Sequence, residues 1–230
     1  MRINRHDIRL SLAIFCVLSC WYLLTNGNHI DSTDGETIFL VTESLVERGT
    51  FAQVEPEDFG DSGRTVVRGR DGHLYAVTGP LQSLLNIPLY IVGRLVALKF
   101  PSRFYPYFTR FFTVNCNSFV IAATVAVLYL FGVDIGYRRR TAAFTALTFG
   151  LATILWPYSH LHFAEPLHTA SLAFASWSAY RYIKTKKWTW MAACGLSMGL
   201  GVASKYVVGV AGPILALYLL VANWHPDRHT

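Results

Sequence analysis

Seven apolar runs divide the chain, at about 9–25, 79–98, 111–133, 141–157, 166–183, 188–204 and 206–223. Most carry few charges, and their length suits helices that cross or line a hydrocarbon layer about 30 Å thick. Strand content should be small, because a helix satisfies its own backbone in lipid. The run at 79–98 differs from the rest. GPLQSLLNIPLYIVGRLVALKF holds Pro80, Pro88, Gln82, Asn86, Gly93 and Arg94. Two prolines, two amides and an arginine suit an interfacial or re-entrant helix better than a lipid-facing span, with a proline-kinked span as the alternative.

Basic residues give the runs a direction. Arg2, Arg5 and Arg9 precede the first run, Arg138–Arg140 form a second cluster, and Arg181, Lys184, Lys186 and Lys187 a third. Cytoplasmic loops gather Lys and Arg. All three clusters fall on one side only if the run at 79–98 does not cross. The pattern therefore predicts an all-α polytopic membrane protein with about six transmembrane helices and a large first extracytoplasmic loop carrying surface helices and a small hairpin. Residues 1–25 form a cytoplasmic tail and signal-anchor span, 26–110 the external loop, 111–223 a five-span bundle and 224–230 a second cytoplasmic tail. The N-terminal run continues through Trp21, Tyr22, Leu23 and Leu24 with no small-residue cleavage site after it. That favours an uncleaved anchor over a signal peptide, although Val17-Leu18-Ser19-Cys20 loosely resembles a lipoprotein site.

Within the external loop, Thr33-Asp34-Gly35-Glu36 matches the S/T-x-x-E capping box. Ile38, Val41 and Leu45 then line one face of a short helix over 34–48, which Gly49 ends. It is too short and too charged to span, and is expected to lie on the membrane surface. Downstream, Thr65–Arg68 and His73–Val77 flank Gly69-Arg70-Asp71-Gly72 and read as a hairpin. A second surface helix over 79–98 follows at once.

Composition agrees with this class. Hydrophobic residues make up 53% of the 230 and charged residues 15%, and the mean hydropathy is +0.34, outside the range of ordinary soluble domains. The net charge of +6 sits at the ends of apolar runs, which excludes a phosphate-tracking nucleic-acid face. Cys16, Cys20, Cys116 and Cys194 all fall inside apolar runs without metal-type spacing, so they read as small packing residues. Gly195-x-x-x-Gly199 and Gly209-x-x-Gly212 read as close-approach helix packing.

Four stretches carry a resemblance: TDGETIFLVTESLVERGTF, DGHLYAVTGPLQSLLNIPLYIVGRL, GYRRRTAAFTALTFGLATILWPYS and FAEPLHTASLAFASWSAYRY. In order and topology the chain resembles the C-type superfamily of polyprenyl-phosphate-dependent membrane glycosyltransferases, notably bacterial relatives of protein O-mannosyltransferases and aminoarabinose transferases. The resemblance implies inverting transfer of a sugar from a lipid-linked phosphate donor to an extracytoplasmic protein, lipid or glycan hydroxyl, in the inner membrane. It also implies a general base in the first external loop, where Asp34 matches best, and a possible divalent metal, since such ions take part in some relatives. The chain departs from the pattern in two ways. Gly35 separates Asp34 from Glu36 where relatives often have adjacent acids, and relatives usually carry more spans.

Each candidate has a plainer reading beside the functional one. Asp34 is either a catalytic base or a helix-start carboxylate worth about 0.3–1 kcal/mol against the dipole, and Asp31 is its understudy. Glu36 is the capping-box partner or shares a catalytic or metal-binding role. Arg110, Lys205 and Arg94 suit the donor phosphate, or snorkel to headgroups. Glu165, near His160, His162 and His168, serves the acceptor, a metal, or the start of a helix before Pro166. His73 and Tyr75 face a substrate cleft or pack a turn. Two other classes compete with the enzyme: a non-catalytic relative that binds lipid-linked sugar or a partner, and a small-solute transporter. The second predicts polar residues and broken helices at mid-membrane, whereas the ionisable groups here gather at the external boundary.

Overall fold

A computed structural model describes residues 3–27, 29–30, 32–53 and 65–224. Ten helices and one two-stranded hairpin make up the fold among these residues: α1 (Arg5–Thr25), α2 (Thr33–Arg48), β1 (Val66–Arg68), β2 (Leu74–Ala76), α3 (Leu81–Ala97), α4 (Tyr105–Val114), α5 (Cys116–Ile135), α6 (Arg139–Leu151), α7 (Leu155–His160), α8 (Glu165–Thr185), α9 (Trp188–Ser204) and α10 (Ala211–Trp224). The nearly all-α class is as the hydropathy pattern predicts. Asp31 lies outside the described residues.

Three helical runs among the described residues are long and apolar enough to cross a membrane: Arg5–Thr25, Ser102–Ile135 and Tyr206–Trp224. The second, at 34 residues and about 1.5 Å each, exceeds the hydrocarbon thickness by a wide margin. The run expected at 141–157 is broken. α6 stops at Leu151, and α7 restarts at Leu155.

The principal core joins α1, α5 and α6. Ile14, Leu18 and Tyr22 interleave with Ile121, Val125, Tyr129 and Ala146, all buried. The hydroxyl of Tyr22 donates to the carbonyl of Gly150 at 2.8 Å. α8 and α9 pair through Ala175, Ala179 and Cys194, with Ser197 donating to the Ser171 carbonyl at 2.8 Å. Gly201 is the close-approach glycine of that pair: a Cβ there would fall 2.7 Å from Val208 and 3.1 Å from Ser171. Gly209 keeps an ordinary contact with Val202 at 3.5 Å, but the packing role expected for Gly195, Gly199 and Gly212 is corrected, because these three meet nothing within 4 Å. They look outward. Cys16 and Cys20 are likewise exposed rather than packed, and all four cysteines are free.

α3 is built inside out. Gln82, Ser83, Asn86 and Tyr90 are buried against the protein, whereas Leu84, Leu85, Ile91, Val92 and Leu95 are exposed. Its amides therefore do not face lipid at all. Gly93 lets α4 approach, since a Cβ would sit 2.6 Å from the Phe108 carbonyl. The antiparallel hairpin pairs Val66 with Ala76 and Arg68 with Leu74, and Gln53 bridges to Leu74.

Candidate active site

The start of α2 differs from the sequence expectation by one residue. Ser32, not Thr33, is the N-cap, and its Oγ accepts from the Gly35 N–H at 3.0 Å. The register shift puts Gly35 at the position where a capping-box acid would stand, so Glu36 is released from the cap. It meets Arg110 of α4 instead, in a bidentate pair at 2.5 and 2.6 Å, and the guanidinium also lies 4.6 Å from the Phe39 ring centroid. The capping role predicted for Glu36 is thus corrected: its carboxylate closes an interhelical fork, a geometry suited to Arg. At the other end Gly49 takes the left-handed conformation with φ 67°, as the sequence predicts for a terminating glycine.

Asp34 stands in the first turn, half-buried, and makes no side-chain hydrogen bond or ion pair with the described residues. It lines a cavity of about 460 Å³ together with Thr65, Thr78, Gly79, Lys205 and Tyr206. The hairpin exit and the end of α9 are docked onto each other here. The Gly79 N–H donates to the Ser204 carbonyl at 3.1 Å, and a Cβ on Gly79 would lie only 2.2 Å from the Ala203 carbonyl oxygen. Only a glycine admits this approach.

Lys205 reaches Glu165 of α8 at 3.3 Å. Next to it, His168 Nε2 lies 3.0 Å from the Oγ of buried Ser204. Asp34 of α2 and Lys205 of the α9–α10 connection thus line one cavity, and Glu165 at the start of α8 pairs with Lys205. The arrangement offers a carboxylate without a partner among the described residues and an ammonium whose counterion is half-exposed.

The other candidates lie elsewhere. Arg94 pairs with Glu47 at 3.4 Å, and Glu47 also accepts from the hydroxyls of Tyr90 and Tyr105 at 3.3 and 2.7 Å. Nearby, burial pushes the Glu43 carboxyl and the Tyr90 phenol above their ordinary ranges. His73 is exposed and lines a separate cavity with Arg48 and Arg68. Tyr75 donates to Asp71 at 2.6 Å, a turn contact. The histidines around Glu165 diverge: His160 meets Thr25 at 2.9 Å, His162 meets Asn86 at 3.1 Å and His168 meets Ser204. Among the described residues no three His, Cys, Asp or Glu side chains are placed to hold a metal ion.

A polar core under the site has no counterpart in the sequence reading. Gln82 donates to Asn117 at 3.1 Å, and Asn117 donates to the carbonyls of Leu161 and Phe163 at 2.7 and 2.8 Å. His162, between them, is 2% exposed. The two amides at i and i+4 in an apolar run, Gln82 and Asn86, were its only sequence signal.

The sequence model of the dolichyl-phosphate-mannose-protein mannosyltransferase family matches residues 73–227, more than half of the chain. The match begins after Asp34 and Glu36, so their roles rest on position and geometry. No curated protein and no solved structure matches the chain. With a helical membrane architecture and this match together, the chain belongs to the dolichyl-phosphate-mannose-protein mannosyltransferase family, whose chemistry is glycosyl transfer from a lipid-linked sugar.

Proposed function

We propose that the protein transfers a sugar, with inversion, from a polyprenyl-phosphate donor to an acceptor hydroxyl at the external face of the inner membrane. The single observation that carries this reading is the sharing of one cavity by Asp34 and Lys205. The N-terminus is cytoplasmic in this reading, six helices cross, and 26–110 forms an external cap that includes α2 and α3. Basic clusters at 138–140 and 181–187 then share the cytoplasmic side.

The chemistry follows from the two charges. Asp34 accepts the proton of the acceptor hydroxyl as its oxygen attacks the anomeric carbon from the side opposite the phosphate. The bond between that carbon and the phosphate oxygen breaks, and the phosphate keeps the electron pair. Lys205 stabilises the charge that develops there. Glu165 holds Lys205 in place when no phosphate is present. Arg110 is committed to Glu36 and anchors α2 rather than the donor. Arg94 and His73 lie outside the cavity and take no part. The acceptor is a protein, lipid or glycan hydroxyl.

Asp34→Asn in membranes, assayed with a polyprenyl-phosphate sugar, tests the base. Loss of a proton acceptor costs on the order of 10²–10⁴ in kcat. Full activity at unchanged expression would remove Asp34 from the mechanism.

A further inference from the structure

The segment Leu161–Ala164 touches both walls of the proposed site. On one side the His162 carbonyl packs on Gly35, the neighbour of Asp34. A Cβ at Gly35 would lie 2.7 Å from that oxygen. On the other side the segment runs into Glu165, which holds Lys205 at 3.3 Å. The position of this short connection therefore sets where both charges stand.

What fixes the segment is a set of neutral buried groups. Asn117 of α5 clasps it from below, donating from one Nδ2 to the carbonyls on either side of His162. Asn86 of α3 holds the ring through its Nδ2, 3.1 Å from His162 Nε2, while the buried Nδ1 has no hydrogen-bond partner among the described residues. Gln82 ties the two amides together, donating to Asn117 Oδ1 at 3.1 Å and to Asn86 Oδ1 at 3.3 Å. Gln82, Asn86 and Asn117 are each 0% exposed. A buried amide is costly unless its partners are in place. Gln82, Asn86 and Asn117 stand at a depth where aliphatic side chains would pack at lower cost. A connection of four residues would otherwise have no rigid element to hold it.

We infer that His162 is a positioning residue for glycosyl transfer: gripped by Asn86 and flanked by the Asn117 clasp, it fixes the separation between Asp34 and Lys205. This inference rests on the proposed base and phosphate roles of those two residues. Its mechanical part stands independently of them. A Phe at 162 fills the volume but offers no acceptor to Asn86, whereas Gln keeps one. Asn117→Asp keeps the shape of the clasp and replaces both donated N–H bonds with like-charged contacts to carbonyls. A displacement of about 1 Å between reacting groups can cost on the order of 100-fold in rate.

The experiment uses the full chain in lipid nanodiscs, with Cys16 and Cys20 replaced by Ser, and spin labels on Thr33→Cys and Tyr206→Cys. Both label sites are exposed; Tyr206 lines the cavity and Thr33 precedes its wall residue Asp34. The distance distribution should be narrow in the parent and in His162→Gln, and broad or shifted in His162→Phe and Asn117→Asp. In unlabelled protein the same two disruptive variants should lose on the order of 100-fold in kcat, with donor KM within a few-fold. Should His162→Phe not fold, Asn117→Asp gives the same reading. An unchanged distribution in the disruptive variants, or a Gln variant as broad as Phe, overturns the positioning role. A broadened distribution with unchanged kcat leaves the mechanical role standing and instead removes the roles proposed for Asp34 and Lys205.

Discussion

Arg110 closes on Glu36 through two hydrogen bonds of 2.5 and 2.6 Å, joining residues 74 positions apart in sequence. The pair anchors the first turn of α2 to α4, two residues from Asp34. Both side chains keep partial contact with solvent, at 36% and 26% exposure, so the Coulombic part is screened and the fork geometry is what matters. Arg110→Leu should lower kcat by displacing Asp34, and donor KM should move little, because this guanidinium is not on the cavity wall. The exchange Glu36→Arg with Arg110→Glu should recover part of the lost rate. A rise in donor KM with kcat unchanged would instead return Arg110 to the phosphate.

Gly79 offers a test with a steric cause. Its Cα approaches the last turn of α9 so closely that an added methyl would meet two backbone oxygens, at 2.2 and 2.5 Å. Neither atom belongs to a flexible side chain, so the hairpin exit or α9 must move. Overpacking of this kind costs about 1–3 kcal/mol. Gly79→Ala should therefore lower the unfolding midpoint. It should also lower transfer activity, because Thr78 and Lys205 line the cavity on either side of the contact. An Ala variant with parental thermal stability in nanodiscs would contradict the close docking.

The outermost glycines separate two kinds of helix packing. Gly201 has Val208 and Ser171 within 2.7 and 3.1 Å of its would-be Cβ, whereas Gly195 and Gly199 have nothing within 4 Å. Leu at 201 should destabilise the α8–α9 pair, and Leu at 195 or 199 should leave the isolated chain's stability within about 0.5 kcal/mol. If Gly199→Leu proves as damaging as Gly201→Leu, the outward orientation of that face is wrong.

Much of this architecture was legible in the chain, for reasons that differ by element. Hydropathy alone bounds α9: the run at 188–204 and the helix Trp188–Ser204 coincide. Local turn chemistry placed the hairpin and the Gly49 stop. The cap of α2 was misplaced by one residue because Ser32 and Thr33 are both good caps, and the choice between them is tertiary. Arg110 draws Glu36 away, and nothing near Glu36 in sequence announces a partner in α4. The GxxxG spacing misled for a related reason, since small residues permit close approach without requiring it. The polar core was least visible. Gln82, Asn86, Asn117 and His162 come from three segments, and each alone reads as a misfit in apolar sequence.

The buried His162 ring predicts how stability should depend on pH. Burial pushes its pKa down from 6.5 to about 4. The folded protein therefore binds fewer protons than the unfolded chain between those two values. Stability from this residue is unpenalised above pH 6.5 and falls as pH is lowered through that window, reaching a loss of about 3 kcal/mol near pH 4, at about 1.36 kcal/mol per unit. His160, also pushed down by burial, contributes with the same sign. His162→Gln carries no titrating group, so its unfolding midpoint should decline less between pH 7 and pH 4.5 than that of the parent. Protonation would also place a donor on Nε2, facing the Nδ2 donor of Asn86, so the Asn86–His162 contact should be lost as stability falls. Parallel pH profiles for parent and Gln variant, measured by denaturant unfolding in the same detergent, would show that burial does not lower the His162 pKa in the folded protein.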